Sequence, residues 1–146
     1  MRHVWIIPGV LFSCHDLAMS YVYTNPNPCN RTVGDCAVRA VAIALDLTWQ
    51  DAFLKIVTEA YGQCDMPSSD AVWGAVLQHH GFTRRMIPNT CPPCYTAERF
   101  CEDNPEGVFV LGFGGHTATV IDGNLMDAWN SSNEIPIYVW YKPKEA

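Results

Sequence analysis

The chain has 146 residues, which is enough for one domain with a single hydrophobic core. Hydrophobic residues make up 49% of the sequence and aromatic residues 12%, a globular composition that excludes an intrinsically disordered chain. The formal net charge is −6, with only 9 Lys and Arg residues, so the chain lacks the basic surface that binds nucleic acid phosphates. We therefore expect no nucleic acid partner.

Residues 1–18 are predicted to be an N-terminal extension, and residues 19–146 a single domain. The apolar run at residues 4–12 resembles the core of an export signal, but it is short, contains Pro8 and follows one fixed positive charge. It is also too short to span a membrane. We therefore expect a cytoplasmic protein with no membrane partner, and export through this segment is the alternative.

The first helix is predicted to begin at Cys36. The preceding segment 25–28, Asn-Pro-Asn-Pro, is restrained to turn and extended conformations because each Pro restricts the residue before it. Asp35 is the predicted N-cap, which places Cys36 in the first helical turn. The helix is indicated by apolar residues at spacings of three and four, namely Val38, Val41, Ala42 and Leu45.

Three further helices are predicted before the main run of strands. The second covers residues 48–60, with a Thr N-cap at its start. The third begins at Ser68 or Ser69 and ends before Gly81, which is a typical C-terminal stop. A short fourth helix covers residues 96–101.

The strands are predicted mainly in the last third of the chain, at residues 82–87, 108–113, 117–121, 125–129 and 135–141. Asp122-Gly123 is a strong signal for a two-residue hairpin between the third and fourth of these strands. Helices followed by an antiparallel sheet indicate the α+β class. We expect the N-terminal helices to pack on one side of a C-terminal antiparallel sheet.

Cys36 is the candidate nucleophile. The positive end of the helix dipole favours a thiolate at the start of a helix, and Gly34 lets the backbone approach a substrate closely. The alternative is that Cys36 is a small buried residue with a packing role, as free cysteines often are.

His116 and Asp127 supply the partners that a nucleophilic thiol needs. His116 follows Gly114-Gly115 at the start of a predicted strand, and Asp127 lies on the neighbouring strand across the hairpin. The two residues fall within about two places of direct opposition, so their side chains can touch. The carboxylate can then orient the imidazole and stabilise its charged form. The alternative, an edge His and an unrelated strand-end Asp, leaves this register unexplained.

These motifs resemble the papain-like cysteine peptidases. In that superfamily an oxyanion Gln lies six residues before the nucleophile, and the third catalytic residue opens an Asn-Ser-Trp motif. This chain has Asn30, then Gly34-Asp35-Cys36, and later Asp127-Ala128-Trp129. The resemblance implies a papain-like fold and a thiol peptidase or amidase activity, with Asn30 as the oxyanion donor. The expected substrate contacts flank these residues: Gly34, Asp35, Gly115 and Trp129. The chain departs from papain in having Ala37, where papain has a Trp.

The small size of the chain resembles that of compact bacterial members, such as the NlpC-type cell-wall peptidases and the bacteriocin-leader peptidases. Segments 25–28, 34–40 and 64–68 also resemble uncharacterised small proteins of gut Firmicutes and their phages. This likeness implies a bacterial or phage origin, and hence the cytoplasm of a bacterium or of an infected host cell.

The resulting hypothesis is a hydrolase that cleaves a peptide, isopeptide or amide bond in a peptide or protein substrate. An acyltransferase would use the same residues with a different acceptor. The alternative from another class is a non-catalytic binding or inhibitor protein, encoded by a phage, on a papain-like fold. The sequence leaves the oligomeric state open.

Seven cysteines leave at least one thiol free or paired between chains, and the composition favours a reducing compartment. Cys91 and Cys94 have the spacing of half a zinc site, and Cys101 could add a third ligand. A second close pair is missing, so we expect free thiols that pack a loop and no cofactor. A structural zinc ion is the alternative.

Overall fold

A computed structural model of the chain describes residues 20–144, and the predicted extension 1–18 lies outside this range. The helices and strands follow in the order β1 (Ser20–Tyr23), α1 (Cys36–Ala44), α2 (Trp49–Gln63), α3 (Asp70–His79), β2 (Thr83–Met86), α4 (Ala97–Asp103), β3 (Val108–Gly112), β4 (Thr117–Ile121), β5 (Asn124–Asp127) and β6 (Tyr138–Tyr141). The α+β class is therefore confirmed. None of the helices within the described range is long and apolar enough to cross a membrane.

The strands form one six-stranded sheet in the order β1-β5-β4-β3-β6-β2. Strand β1 runs parallel to β5, whereas all other neighbours are antiparallel. The prediction of a purely antiparallel, C-terminal sheet was therefore wrong. Strand β1 was not predicted, because it is only four residues long and becomes a strand by pairing with β5, which is remote in sequence.

The N-terminal helices lie on one side of the sheet, as expected, and α4 covers the other face, which was not predicted. Helices α1, α2 and α3 pack with Val110, Tyr138 and Trp140 on one face. Helix α4 packs through Phe100 and Cys101 on the other face. Successive side chains of a strand point to opposite faces, so β3 contributes to both cores.

The four predicted helix starts are confirmed, and two of the helices have the side-chain cap that was predicted. The Thr48 hydroxyl accepts a hydrogen bond from the backbone N–H of Asp51 at 3.1 Å, before α2. The Thr96 hydroxyl accepts one from Arg99 at 3.3 Å, before α4. Helix α2 runs to Gln63, three residues beyond the prediction, because the apolar pattern fades before the helical hydrogen bonds end.

The β4–β5 hairpin is the local structure that positions the candidate site. Asp122 and Gly123 have φ values of +49° and +77°, as a type I′ turn requires, and Val120 pairs with Leu125. Strand β4 therefore begins at the same end of the sheet at which β5 ends. Strand β5 stops at Asp127, so Trp129 lies beyond the strand that was predicted to contain it.

Helix α3 offers a test of how closely this domain is packed. A Cβ atom at Gly74 would lie 2.6 Å from the Trp140 ring, so Gly74→Ala is expected to destabilise the protein by about 1–3 kcal/mol. The measurement is the midpoint of urea unfolding. Gly62→Ala in α2 is the matched control, because a Cβ atom there meets nothing within 4 Å and removes about 0.5–1 kcal/mol of backbone cost. Equal midpoints for the two variants would contradict the packing described here.

Candidate functional site

Three separate elements bring Cys36, His116 and Asp127 together. Cys36 is the first residue of α1, His116 immediately precedes β4, and Asp127 is the last residue of β5. Helix α1 lies across β4 and is bonded to it, since the Thr119 hydroxyl donates to the carbonyl of Ala40 at 2.8 Å. The start of α1 therefore meets the end of the sheet where β4 begins and β5 ends.

A tight turn presents the His116 side chain. Backbone N–H of Phe113 donates to the His116 carbonyl at 2.8 Å, and Gly115 within this turn has a φ of +83°, a conformation that favours glycine. The imidazole lies between two aromatic rings, with centroid distances of 5.8 Å to Phe113 and 4.8 Å to Trp129. These contacts restrict the rotation of the ring.

The Asp127 carboxylate is almost fully buried, at 3% exposure, and accepts hydrogen bonds from several donors. Its Oδ2 lies 2.7 Å from His116 Nε2 and accepts from the Ser131 hydroxyl at 2.6 Å. Its Oδ1 accepts from the Ala128 backbone N–H at 2.7 Å. An ionised carboxylate only accepts, so Nε2 of His116 is a donor, and the remaining nitrogen, Nδ1, is left for Cys36.

The Cys36 thiol is half-buried. Hydrogen bonding with the His116 side chain is the largest cause that lowers the pKa of Cys36 below its ordinary value, against the opposing effect of burial. The positive charges of His116 and Arg39 and the backbone N–H of Thr117 lower the Cys36 pKa further. The arrangement therefore favours a thiolate.

The imidazole shows the complementary change. Burial by itself would lower the pKa of His116, but the hydrogen bonds and charges of Asp127 and Cys36 outweigh it and raise the pKa to about 9. A lowered thiol pKa beside a raised imidazole pKa is the electrostatic signature of a thiolate–imidazolium pair.

Asp35 occupies the N-cap position of α1, as predicted, but its side chain forms no capping hydrogen bond. Its buried carboxylate pairs with Arg39 and accepts from Asn27 Nδ2 at 3.3 Å and Trp49 Nε1 at 2.9 Å. These partners occupy the carboxylate inside the protein, and the contact of Asp35 with substrate stays a prediction. The backbone N–H groups of the first turn of α1 are consequently not taken by a capping side chain.

Asn30 lies on the loop before α1 and is exposed. Its side-chain oxygen accepts from the Tyr23 hydroxyl at 3.2 Å and from Asn25 Nδ2 at 3.1 Å. Its own amide nitrogen is the group that could donate to a substrate. Within residues 20–144, Asn30 makes no hydrogen bond to Cys36 or His116, and its oxyanion role stays a prediction.

The other predicted substrate contacts present open surface. A Cβ atom at Gly34 or Gly115 would meet nothing within 4 Å, so both glycines leave space beside the site. Trp129 is 45% exposed even though its ring contacts His116. The contact of these three residues with substrate stays a prediction.

The cysteine-rich segment does not form the cluster considered from the sequence. Cys91 and Cys94 form a disulfide in the loop between β2 and α4, so the expectation of free thiols was wrong for this pair. Cys101 is a buried free thiol in the core beneath α4. Across the described residues, no three His, Cys, Asp or Glu side chains are grouped so that they could hold a metal ion.

Sequence reasoning missed three groups that contact the site: Arg39, Ser131 and the backbone N–H of Thr117. Arg39 lies four residues after Asp35, a spacing at which helical ion pairs form, so the sequence contained a usable signal. Ser131 carried no such signal, because its contact with Asp127 depends on how the loop after β5 folds back.

The site defines a class: a thiol, an imidazole and a carboxylate joined in series, with the thiol at a helix N-terminus. No family model, curated protein or solved structure significantly matches this chain. The function of the protein is therefore inferred from the chemistry of this site.

The ion pair makes a prediction about reactivity. Cys36 is expected to be alkylated by iodoacetamide at a lower pH than the exposed Cys29 and Cys64, because its pKa is lowered. His116→Ala removes the largest cause of that lowering. Alkylation of Cys36 at pH 6 should then fall, by up to about tenfold for each unit by which its pKa rises. The measurement is site-resolved mass spectrometry over a pH series.

His79→Ala is the matched control for this experiment, since His79 is an exposed imidazole at the end of α3, paired with Glu59. It should leave the alkylation profile of Cys36 unchanged. A Cys36 that reacts like the exposed cysteines, or that is indifferent to His116→Ala, would contradict the ion pair.

Proposed function

We propose that this protein is a cysteine hydrolase that cleaves a peptide, isopeptide or amide bond through Cys36, His116 and Asp127. The observation that carries the proposal is the hydrogen-bonded series from the Cys36 thiol through His116 to the buried Asp127 carboxylate. A nucleophile, a base within reach and a third group that orients the base are the components of nucleophilic acyl transfer.

In the acylation step, the Cys36 thiolate attacks the carbonyl carbon of the substrate and forms a C–S bond, while the carbonyl electron pair moves onto oxygen. The oxyanion then re-forms the carbonyl and the C–N bond breaks. His116 gives its Nδ1 proton to the departing amine, since Nε2 is held by Asp127. The products are a thioester on Cys36, a neutral imidazole and a free amine.

In the deacylation step, a water molecule attacks the thioester and neutral His116 takes its proton. The C–S bond breaks, the acid product leaves and the thiolate–imidazolium pair is restored. Asp127 keeps the imidazole in one orientation during both proton transfers, because Oδ2 binds Nε2 at 2.7 Å. An acyltransferase would follow the same first step and replace water by an amine.

The developing oxyanion needs hydrogen-bond donors. The first turn of α1 supplies candidates, because the Asp35 side chain does not cap it, and the helix dipole adds positive potential there. The amide nitrogen of Asn30 is the second candidate donor, at the position of the oxyanion Gln in papain-like peptidases.

The papain-like assignment is supported by the chain order Cys, His, Asp and by a nucleophile on the first residue of a helix that packs on a sheet. We propose a peptide or protein as the substrate, and the cytoplasm of a bacterium or of an infected host cell as the location. Gly34, Gly115 and Trp129 are the candidate contacts for that substrate, because all three are exposed and lie close in the chain to the site residues.

The acyl-transfer chemistry can be tested before a natural substrate is known. p-Nitrophenyl acetate is expected to acetylate Cys36 and to release several equivalents of p-nitrophenolate as the thioester hydrolyses. Cys36→Ala should abolish this release, and His116→Ala should slow it by about 10²–10⁴-fold because proton transfer is lost. Acid quenching and peptide mapping should locate the acetyl group on Cys36.

Cys64→Ala is the matched control, since Cys64 is an exposed free thiol away from the site, and it should retain full turnover. Nitrophenolate release that survives Cys36→Ala would refute the hydrolase. Stoichiometric binding of a peptide or protein that also survives Cys36→Ala would instead favour the non-catalytic binding protein.

A further inference from the structure

Arg39 is a buried cation that the three-residue series does not use. It lies on α1, three residues after Cys36, a spacing that puts both side chains on one side of the helix. It forms an ion pair with Asp35, and its Nη2 lies 3.9 Å from Asp127 Oδ1. Its guanidinium thus stands between two buried carboxylates, of which one orients His116.

Burying these groups requires a reason. An unpaired charge in a protein interior is costly, so each of the two carboxylates needs compensation. Among residues 20–144, Asp127 contacts several hydrogen-bond donors and no fixed cation besides Arg39, since His116 is charged only when protonated. A guanidinium stays protonated at all working pH values and supplies a constant positive charge.

Asp35 in turn fixes the guanidinium. Its carboxylate accepts hydrogen bonds from Asn27 Nδ2 and Trp49 Nε1, which restrict the rotation of the side chain that pairs with Arg39. The ion pair therefore ties the nucleophile helix to the loop before it and directs the remaining face of the guanidinium towards Asp127.

We propose that Arg39 is a positioning residue for the thiolate–imidazolium pair, and that its fixed charge holds the Asp127 carboxylate in place and stabilises the Cys36 thiolate. The inference rests on the proposed role of Cys36 as nucleophile. Arg39 does not touch the substrate or the reacting atoms, and it acts through Asp127 and through the electrostatic potential at the sulfur.

The groups that determine the titration come from every element around the pair. They are Tyr21 on β1, Asp35 before α1, Cys36 and Arg39 on α1, His116 before β4, Asp127 on β5 and Tyr138 on β6. The pKa values of Tyr21 and Tyr138 are raised, so both tyrosines stay neutral through the titration. The observed changes therefore belong to the charged series.

The test removes the cation without leaving Asp35 unpaired. Asp35→Asn is the reference protein, and it is compared with the double variant Asp35→Asn/Arg39→Met. Two apparent pKa values are measured: that of the Cys36 thiol, from the pH dependence of its alkylation followed by mass spectrometry, and that of the His116 imidazole, by NMR.

Loss of a nearby positive charge raises the pKa of any acid, so the apparent pKa values of Cys36 and His116 should both rise. Alkylation of Cys36 at pH 6 should therefore fall, and by less than in His116→Ala, because the charge of Arg39 is the smallest of the causes that lower the Cys36 pKa. A merely structural role predicts a different result. A loosened site would raise the apparent pKa of Cys36 and lower that of His116, so the two values would converge.

Two further variants complete the experiment. Asp35→Asn/Arg39→Lys keeps the positive charge and should retain most of the reactivity at pH 6, and it decides the matter if the Met variant does not fold. Arg99→Met removes an exposed arginine of α4, which pairs with Glu102, and should change neither apparent pKa.

Three results would overturn the role of Arg39 and leave the hydrolase proposal intact. They are apparent pKa values that converge, apparent pKa values that do not change, and a folded Lys variant that loses reactivity. A wild-type Cys36 that does not react below the pH of the exposed cysteines would overturn both proposals. A rise of both apparent pKa values in the Met variant, with reactivity at pH 6 retained in the Lys variant, would establish Arg39 as the positioning residue.

Discussion

The buried carboxylate of Asp127 is the constraint on which the arrangement of the site depends. A charge that is 3% exposed must be satisfied from within the protein, and donors converge on it from the turn before β4, the loop after β5 and the nucleophile helix. Since every hydrogen-bonding partner donates, the orientation of the His116 ring follows, and with it the nitrogen that faces Cys36. The sheet and α1 are the scaffold that delivers these donors.

The sheet topology explains how so short a chain assembles such a site. The hairpin at Asp122-Gly123 brings the start of β4 and the end of β5 to the same end of the sheet. Helix α1 lies across β4 with its first turn at that end. The site thus sits on two rigid strands and a helix terminus. Gly34, Gly115 and Trp129, which lie close in the chain to the site residues, are exposed.

Charge is distributed over the site in an alternating series: Asp35, Arg39, Asp127, His116 and Cys36. Each member has an opposite charge as its neighbour when the thiol is ionised, so the series stabilises the thiolate–imidazolium form over the neutral one. Burial opposes ionisation at Cys36 and tends to keep His116 neutral, and the neighbouring charges and hydrogen bonds outweigh it. The same burial strengthens every interaction within the series, because water does not screen it.

The sequence by itself determined the helix starts, the hairpin and the chain order of Cys36, His116 and Asp127, because these depend on caps, turn residues and periodicity that are local. The pairing of His116 with Asp127 followed from the hairpin register alone. Only the tertiary structure decided the parallel strand β1, the helix on the second face, the disulfide of Cys91 and Cys94, and the partners Arg39 and Ser131. Strand β1, the helix on the second face and the contact of Arg39 with Asp127 join segments far apart in the chain, so no local pattern encodes them. Ser131 lies only four residues after Asp127, and its hydrogen bond depends on how the loop after β5 folds back. The disulfide depends on the conformation of its loop, which residue spacing does not fix.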